Sequence, residues 1–186
     1  WVSLSSSGAN KGGTFSIKVD NNLTSSKRTA NIVVTNKDLK DNNKSTLKIT
    51  QSGFTFNAEC NDKIEFAALP DGQSYKITYS CSAELLIDAP NWVNCDDRGN
   101  GTIIVTAEDN VSTVKRTGTI KLSNAYTSDT RTFTVSQEAY EFSVSADSYS
   151  LDYEDNDDVV VKITSSGRWS ASSDVTWLTI SPEHGN

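Results

Sequence analysis

Polar and apolar residues alternate along most of the chain, with a period of two. Residues 46–50 read Thr-Leu-Lys-Ile-Thr, and residues 132–136 read Thr-Phe-Thr-Val-Ser. Successive side chains of a strand point to opposite faces, so this pattern predicts half-buried strands. Turn formers such as those at 70–72 (Pro-Asp-Gly) separate the runs, and no apolar stripe of helical spacing is sustained. The pattern predicts an all-β chain.

A repeat of about 85 to 91 residues organises these strands. Residues 13–36 align without a gap with residues 101–124, which lie 88 positions further on. Trp1, Trp92 and Trp177 mark one position of the repeat. Self-similarity at such a period is typical of tandem modules.

The repeat predicts how the chain divides. Residues 1–53 form the C-terminal half of a first repeat, residues 54–139 a complete repeat, and residues 140–186 the N-terminal half of a third. A gene boundary rarely falls inside a module, so we expect the chain to be a piece of a longer array.

The complete repeat holds about eight short strands, which we expect at 54–60, 64–69, 74–82, 83–87, 92–96, 101–109, 115–124 and 131–139. This number of strands in about 86 residues is typical of an immunoglobulin-like module. The predicted fold is therefore a tandem series of immunoglobulin-like antiparallel β-sandwich repeats. Trp92 should lie between the sheets, in a core formed by Phe56, Ile77, Val93, Ile103, Val105, Ile120, Leu122, Phe133 and Val135.

The order of motifs within each repeat resembles a known family. A repeat opens with an aromatic strand, such as Tyr-Glu-Phe-Ser-Val at 140–144, and then carries a Trp followed by a Ser/Pro/Gly turn. An Arg-bearing strand follows (Arg28, Arg116), and the repeat closes on Gln-Ser-Gly at 51–53 or Gln-Glu-Ala at 137–139. This order resembles the BACON repeat, an immunoglobulin-like module of secreted and surface proteins of Bacteroidetes-type bacteria. The resemblance implies an extracellular or cell-surface protein associated with carbohydrates, in which some members bind glycans and others act as spacers.

Charge and histidine content exclude several classes of function. The net charge is −7, and the chain has no basic stripe, so nucleic acid and anionic membranes are poor partners. No run of 18 apolar residues occurs, so we expect no membrane insertion. The single histidine, His184, lies in a predicted turn where the other copies carry Gly8 and Gly99. A Ser/His/Asp site needs a histidine held by a carboxylate, so we predict no catalytic residues and no enzymatic activity.

All three cysteines, Cys60, Cys81 and Cys95, belong to the complete repeat. The alternation places them on inward-facing positions. They are either small buried apolar residues or, in an extracellular protein, include one disulfide. Three pairings are possible, and the spacing does not select one of them.

An acidic segment follows the first strand of the third repeat. It contains Asp152, Glu154, Asp155, Asp157 and Asp158. Carboxylates on a loop suit Ca²⁺, but the spacing is not that of an EF-hand, and the matching loop at 68–73 has one acid. We expect a solvated acidic turn, with calcium as the alternative and otherwise no cofactor.

Aromatic residues are the candidates for glycan contacts, because sugar rings stack on exposed aromatic faces. The non-recurrent Trp169, Tyr126, Tyr149 and Tyr153 are the predicted carbohydrate-binding residues. The recurrent Trp1, Trp92 and Trp177 are predicted to be structural, as are Arg28 and Arg116. The methylene stems of these arginines should cover apolar edges while their guanidinium groups bind loop carbonyls or an acid.

Small polar residues dominate the remaining composition, with 26 Ser, 20 Thr and 16 Asn among 186 residues. Asn-x-Ser/Thr triplets occur at Asn22, Asn43, Asn100 and Asn110. In so Asn-, Ser- and Thr-rich a chain such triplets are expected by chance, and we assign them no role.

The sequence therefore favours a non-catalytic extracellular repeat that serves as a stalk, spacer or adhesive, fibre-forming element of a bacterial surface or secreted protein. The alternative is a carbohydrate-binding accessory module. A half-sandwich exposes an apolar face and unpaired edges. We therefore expect neighbouring repeats or further copies as partners, with residues 14–52 of one chain pairing head-to-tail with strands equivalent to residues 140–170 of another. The alternative is that flanking sequence completes each half. If Ile17, Ile32 and Ile49 instead pack against Phe142, Val161 and Ile163 of their own chain, the head-to-tail expectation fails.

Overall fold

A computed structural model describes residues 1–9, 12–36, 38, 43–154 and 158–185. Every regular element in these ranges is a β-strand, which confirms the all-β prediction. The described ranges form no helix with the length and apolarity needed to cross a bilayer. The strands are β1 Val2–Ala9, β2 Gly12–Val19, β3 Arg28–Thr35, β4 Lys44–Gln51, β5 Phe56–Glu59, β6 Ile64–Phe66, β7 Tyr75–Cys81, β8 Leu85–Asp88, β9 Val93–Asp97, β10 Thr102–Ala107, β11 Arg116–Asn124, β12 Thr130–Gln137, β13 Phe142–Val144, β14 Ile163–Ser165, β15 Trp169–Ser170 and β16 His184–Gly185.

Strands β5 to β12 build the complete repeat as two four-stranded sheets. One sheet has the order β5-β7-β10-β9 and the other β6-β12-β11-β8. The eight strands fall where the alternation predicted them, within a few residues at each end. Strand β6 pairs with β12 in parallel, with Val135 opposite Ile64, whereas the sequence predicted antiparallel pairing throughout. Because β5 joins one sheet and β6 the other, the opening segment of the repeat contributes an edge strand to both sheets.

Contacts divide the chain into two compact units. The first comprises Trp1–Asn57, Ser80–Leu86 and Ser123–Thr130. The second comprises Ala58–Tyr79, Ile87–Leu122 and Arg131–Asn186. The division into a half, a complete and a second half repeat along the sequence stays a prediction.

The core of the second unit lies between the two sheets of the complete repeat. Its buried apolar residues are Ala58, Ile64, Phe66, Ala68, Ile77, Trp92, Val93, Ile103, Val105, Ile120, Leu122 and Val135. Trp92 is 9% exposed, which confirms its predicted burial. Phe56 and Phe133 are only half-buried, so the predicted core was too wide at these two positions. The core also contains a polar side chain, Gln137, which is fully buried.

The described strands of the outer segments form two-stranded antiparallel pairs. In the first unit β1 pairs with β2 and β3 with β4, both antiparallel. In the second unit β13 pairs with β14, placing Phe142 opposite Ser165, and β15 pairs with β16, placing Trp169 opposite Gly185. His184 therefore lies in a short strand rather than in the predicted turn, because its backbone pairs with that of Ser170.

The three cysteines are half-buried free thiols. This agrees with the interpretation as small inward-facing residues and not with the disulfide alternative. Partial burial raises the pKa of the Cys95 thiol, since desolvation disfavours the thiolate. At neutral pH a smaller fraction of that thiol is therefore ionised than of a cysteine in water, and the thiolate is the nucleophilic form.

Candidate functional site

The recurrent arginine of the complete repeat contacts three loops and strands at once. Arg116 begins β11, and its guanidinium carbon lies 4.6 Å from the centre of the Trp92 ring. Its Nε and Nη2 both donate to Oε1 of Gln137, at 2.9 and 2.7 Å. Nη2 also donates to the backbone oxygen of Glu108 at 2.8 Å. The cation is thus stacked on an indole and paired with neutral oxygens, an arrangement for which Arg is suited and Lys is not.

Gln137 completes this arrangement from the end of β12. While its Oε1 accepts from Arg116, its Nε2 donates to the backbone oxygens of Ala67, Ala68 and Glu108 at 3.1, 3.0 and 2.8 Å. A fully buried amide must find such partners, because each unpaired group costs roughly 1–3 kcal/mol. We name the set of Trp92, Arg116 and Gln137 the brace of the complete repeat.

The first repeat contains the same brace, made by Trp1, Arg28 and Gln51. The Arg28 guanidinium carbon lies 4.4 Å from the centre of the Trp1 ring, and its Nε donates to Gln51 Oε1 at 2.9 Å. Arg28 Nη2 and Gln51 Nε2 both donate to the backbone oxygen of Asp20. In both copies the guanidinium contacts an indole and backbone oxygens of a loop, and the structural role of Arg28 and Arg116 stays a prediction. The brace recurs with the repeat, so it belongs to the module and not to one copy.

One buried asparagine stabilises the turn that precedes each recurrent arginine: Asn22 before Arg28 and Asn110 before Arg116. Asn22 Nδ2 donates to the backbone oxygens of Ser26 and Ser52, at 2.8 and 2.9 Å. In the next repeat Asn110 Nδ2 donates to the equivalent oxygens of Val114 and Glu138, at 3.0 and 2.8 Å. The side-chain oxygen of each asparagine accepts a backbone N–H two residues later, as in an Asx turn.

These bonds correct our treatment of the Asn-x-Ser/Thr triplets. The triplets at Asn22 and Asn110 are not chance matches, because both asparagines are buried and repeat one set of hydrogen bonds. The sequence carried a signal that we did not use: the two residues lie 88 positions apart, the offset that aligns the repeats.

The same turns also form hydrogen bonds with the first residues of the following repeat. The backbone N–H of Phe54 donates to the backbone oxygen of Thr24 at 2.7 Å, and that of Tyr140 donates to the backbone oxygen of Ser112 at 2.8 Å. Each buried asparagine also holds the residue two positions before this aromatic, Ser52 or Glu138. The connection between successive repeats is thus hydrogen-bonded within each asparagine turn, with no free linker. We name this set of contacts the junction.

Trp177 differs from the other two recurrent tryptophans. It is 79% exposed, whereas Trp92 is buried and Trp1 lies beneath Arg28. Within the described ranges no guanidinium stacks on Trp177. The structural role of Trp177 stays a prediction.

The four aromatic residues predicted to bind carbohydrate have different local partners. Trp169 is half-buried, and its indole packs so closely on Gly185 that a side chain there would clash with it. Tyr149 and Tyr153 are exposed on the segment after β13. The Tyr149 hydroxyl lies 3.2 Å from Ser145 Oγ, and a hydrogen bond with Glu154, together with desolvation, raises the pKa of Tyr153. Trp169 and these two tyrosines thus have separate local partners, and their carbohydrate-binding role stays a prediction.

Tyr126 belongs to the first unit and is the exception. It follows β11, where its backbone N–H donates to Asn124 Oδ1 at 2.9 Å, and its side chain is exposed. It lines a groove of about 370 Å³ together with residues 21–23, 51–54 and 82–83. A saccharide can bind where an aromatic side chain lies beside amide and hydroxyl groups, because its ring stacks on the aromatic face and its hydroxyls form hydrogen bonds with the polar groups.

The predicted metal ligands are exposed or lie outside the description. Asp152 and Asp158 are exposed, and Asp155 and Asp157 fall outside the described residues. Among the residues that are described, no three histidine, cysteine or acidic side chains are grouped so as to hold a metal ion. Calcium binding stays a prediction without support from the geometry.

Two family models match the chain. The BACON model, described as "Putative binding domain, N-terminal", matches residues 1–52 and 76–138. The chain belongs to the BACON family. A second model, the viral BACON domain, matches residues 141–186, so BACON matches extend over all three segments of the chain. No curated protein and no solved structure matches significantly. The BACON match includes every residue of both braces. Its first part contains Trp1, Arg28 and Gln51, and its second part contains Trp92, Arg116 and Gln137.

Proposed function

We propose that this BACON chain is a non-catalytic extracellular repeat that serves as a stalk, spacer or adhesive element of a bacterial surface or secreted protein. The observation that carries the proposal is the junction, which occurs twice with the same hydrogen bonds. A flexible Gly/Ser linker would leave successive modules free to reorient, whereas a hydrogen-bonded connection keeps each module attached in one way. That property suits a stalk or spacer, which keeps the parts of a protein that it connects at a set separation.

The braces support the same proposal. Their most polar groups, the guanidinium and the buried amide, are saturated by the protein's own indole and carbonyl groups. A recognition site or active site instead keeps polar groups available to a ligand. With a net charge of −7, nucleic acid and anionic lipid do not enter the proposal as partners.

The junction is tested by amide hydrogen exchange. We expect the N–H groups of Phe54 and Tyr140 to be protected, and we expect Asn22→Ala and Asn110→Ala each to remove protection at its own junction. Asn100→Ala is the matched control, because Asn100 is an exposed asparagine of an Asn-x-Ser/Thr triplet outside both junctions. Exchange of both N–H groups at the rate of an open linker in the unmodified chain would contradict the spacer function.

A second candidate, carbohydrate binding by an accessory module, is favoured by the groove beside Tyr126. Its test is a glycan array probed with the chain and with Tyr126→Ala. Binding that Tyr126→Ala abolishes while leaving the fold intact supports the candidate. Absence of binding, or binding that survives the substitution, assigns no glycan to this groove.

A further inference from the structure

A short loop joins β9 to β10 in the complete repeat. Strand β9 ends at Asp97 and β10 begins at Thr102. Between them Gly99 and Gly101 have φ angles of 69° and 80°, a region that glycine adopts far more readily than other residues. A Cβ at position 101 would also lie 2.8 Å from the backbone oxygen of Tyr79, which is too close for a carbon atom. The hairpin therefore requires glycine at position 101.

Hydrogen bonds hold this loop on both sides of its tip. Asp97 Oδ1 accepts from the Tyr79 hydroxyl at 2.8 Å and from the Gly99 N–H at 2.9 Å. The backbone oxygen of Gly101 accepts from the Tyr79 N–H at 2.9 Å. Asn100 lies between the two glycines with its side chain exposed. Among the described residues, none forms a hydrogen bond with that side chain or with the Gly101 N–H.

Asparagine is a chemically labile residue, and a following glycine increases its lability. The backbone nitrogen of the glycine loses its proton to hydroxide and bonds to the side-chain carbonyl carbon of the asparagine, and ammonia leaves. Water then opens the resulting succinimide at either of its carbonyl groups, which gives aspartate or isoaspartate. Water is the only co-reactant, and nothing is oxidised or reduced. A side chain on the second residue hinders the attack, and glycine has none.

We propose that Asn100 is a site of self-modification in the folded chain, where the nitrogen of Gly101 closes on the side-chain carbonyl and hydrolysis leaves aspartate or isoaspartate in the hairpin. Asn100-Gly101 is the single Asn-Gly pair among the 186 residues. The glycine that allows the hairpin to form thus also supplies the reactive nitrogen. The modification goes beyond the proposed function, which does not involve it.

The two products should affect the hairpin differently. Aspartate keeps the length of the backbone and adds only a carboxylate at the tip of the loop. Isoaspartate passes the backbone through the former side chain and so lengthens a loop whose ends are joined by the bond from the Arg98 N–H to the backbone oxygen of Thr102, at 2.9 Å. We therefore expect isoaspartate, and not aspartate, to weaken that bond.

Timed incubation of the full 186-residue chain, followed by digestion at acidic pH and peptide mass spectrometry, tests the proposal. Conversion raises the mass of the peptide by the difference between a hydroxyl and an amino group. Residue 100 should convert roughly tenfold or more faster than Asn94, an exposed asparagine of β9 that Cys95 follows. The rate should increase with pH, because the attacking nitrogen must lose its proton. Asn100→Gln should abolish the conversion, because its longer side chain would have to close a larger ring.

Amide hydrogen exchange gives the second measurement. In the isoaspartate fraction, separated by chromatography, the Arg98 N–H should exchange faster than in the unmodified chain. Asn100→Asp is the matched control, since it adds the same charge without lengthening the backbone, and its Arg98 N–H should stay protected.

Four outcomes overturn the proposal. Conversion of Asn94 at the same rate shows that Gly101 gives no advantage in the folded loop. Conversion that occurs in urea but not in the folded chain shows that the hairpin blocks the attack. A mass increase that persists in Asn100→Gln assigns the reaction to another residue. Equal protection of the Arg98 N–H in the isoaspartate fraction and in the unmodified chain places the product outside the hairpin.

Discussion

Residues 1–53 and residues 92–138 share one set of strands and one brace, yet they bury different amounts of apolar surface. In both, an arginine stacks on a tryptophan and binds a glutamine at the end of a strand. Only in the complete repeat is that glutamine fully buried, together with the apolar residues of β10 to β12. The contact of the arginine with its tryptophan and glutamine therefore forms among the last four strands of a repeat, whereas burial of the core and of the glutamine also involves the first four. Residues 1–53 make these polar contacts although their apolar residues are more exposed.

The largest expected effect concerns the buried Trp92 in comparison with the more exposed Trp1. Trp92→Ala should destabilise the complete repeat by about 3–5 kcal/mol, because it empties a buried indole site and removes the face on which Arg116 stacks. Trp1→Ala should cost the first repeat less than about 1 kcal/mol, because Trp1 is 36% exposed against 9% for Trp92. The measurement is denaturant unfolding followed by NMR signals assigned to each repeat, since one global transition would merge them.

The comparison breaks if the two tryptophan variants destabilise their repeats equally. That result would mean that the indole contributes mainly through its arginine, which both repeats have, and little through burial. Val111→Ala serves as the control, because Val111 is an exposed apolar residue and its truncation should change neither transition.

The second prediction separates the two glutamines. Gln137→Ala should cost roughly 3 kcal/mol, because it removes the acceptor of Arg116 Nε and the amide donor to the backbone oxygens of Ala67, Ala68 and Glu108 at a buried position. Gln51→Ala should cost roughly 1 kcal/mol, because water can reach the half-buried groups that the side chain releases. The same residue-resolved unfolding experiment measures both. A Gln137→Ala variant as stable as Gln51→Ala would show that water enters the complete repeat and satisfies those groups.

The smallest expected effect belongs to an ion pair that only one repeat has. Lys115 Nζ lies 2.6 Å from Glu138 Oε1, and the equivalent positions of the first repeat hold Lys27 and Ser52. The hydrogen bond to Glu138 is the main cause that raises the pKa of Lys115, with the Coulomb attraction of that carboxylate second. Both side chains of the pair are solvent-exposed, so we expect Lys115→Ala to change stability very little.

The pH dependence of this pair has a definite sign. A lysine whose pKa is higher in the folded chain stabilises that state while the ammonium is charged, and the contribution disappears as the pH rises from its ordinary pKa of 10.5 through the raised value. The small difference between the unmodified chain and Lys115→Ala should therefore vanish above that pH. A difference that persists above that pH would contradict the assignment to the charged ammonium of Lys115.

Strand positions could be predicted from the sequence, because alternation and turn residues are local signals. The arginines were also predictable, since they recur at the offset that aligns the repeats. Gln137 was missed although it continues the inward alternation of Phe133 and Val135, and Gln51 does the same after Leu47 and Ile49. A polar residue at an inward position that recurs in both copies is a signal for a buried hydrogen-bonded side chain.

Other features depend on tertiary structure. The parallel pairing of β6 with β12 arises because the chain passes from one sheet to the other between β5 and β6, and local pattern does not encode that passage. The exposure of Trp177 could not be predicted from its recurrence, because burial of an indole depends on the side chains packed around it. Recurrence identifies the position of a residue in a module, and its neighbours determine how far it is buried.

The asparagine turns have a consequence for how this protein can be produced. In a eukaryotic secretory pathway, oligosaccharyltransferase modifies Asn-x-Ser/Thr triplets, and such attachment to Asn22 or Asn110 would consume the side-chain nitrogen that each turn uses. The folded turn protects that nitrogen by burying it, so only an unfolded chain would be modified, and it would then be unable to close the turn. Expression in a bacterial host avoids this conflict. A eukaryotic host would require replacement of Thr24 and Ser112 by Ala, which removes the acceptor triplets and leaves both asparagines in place.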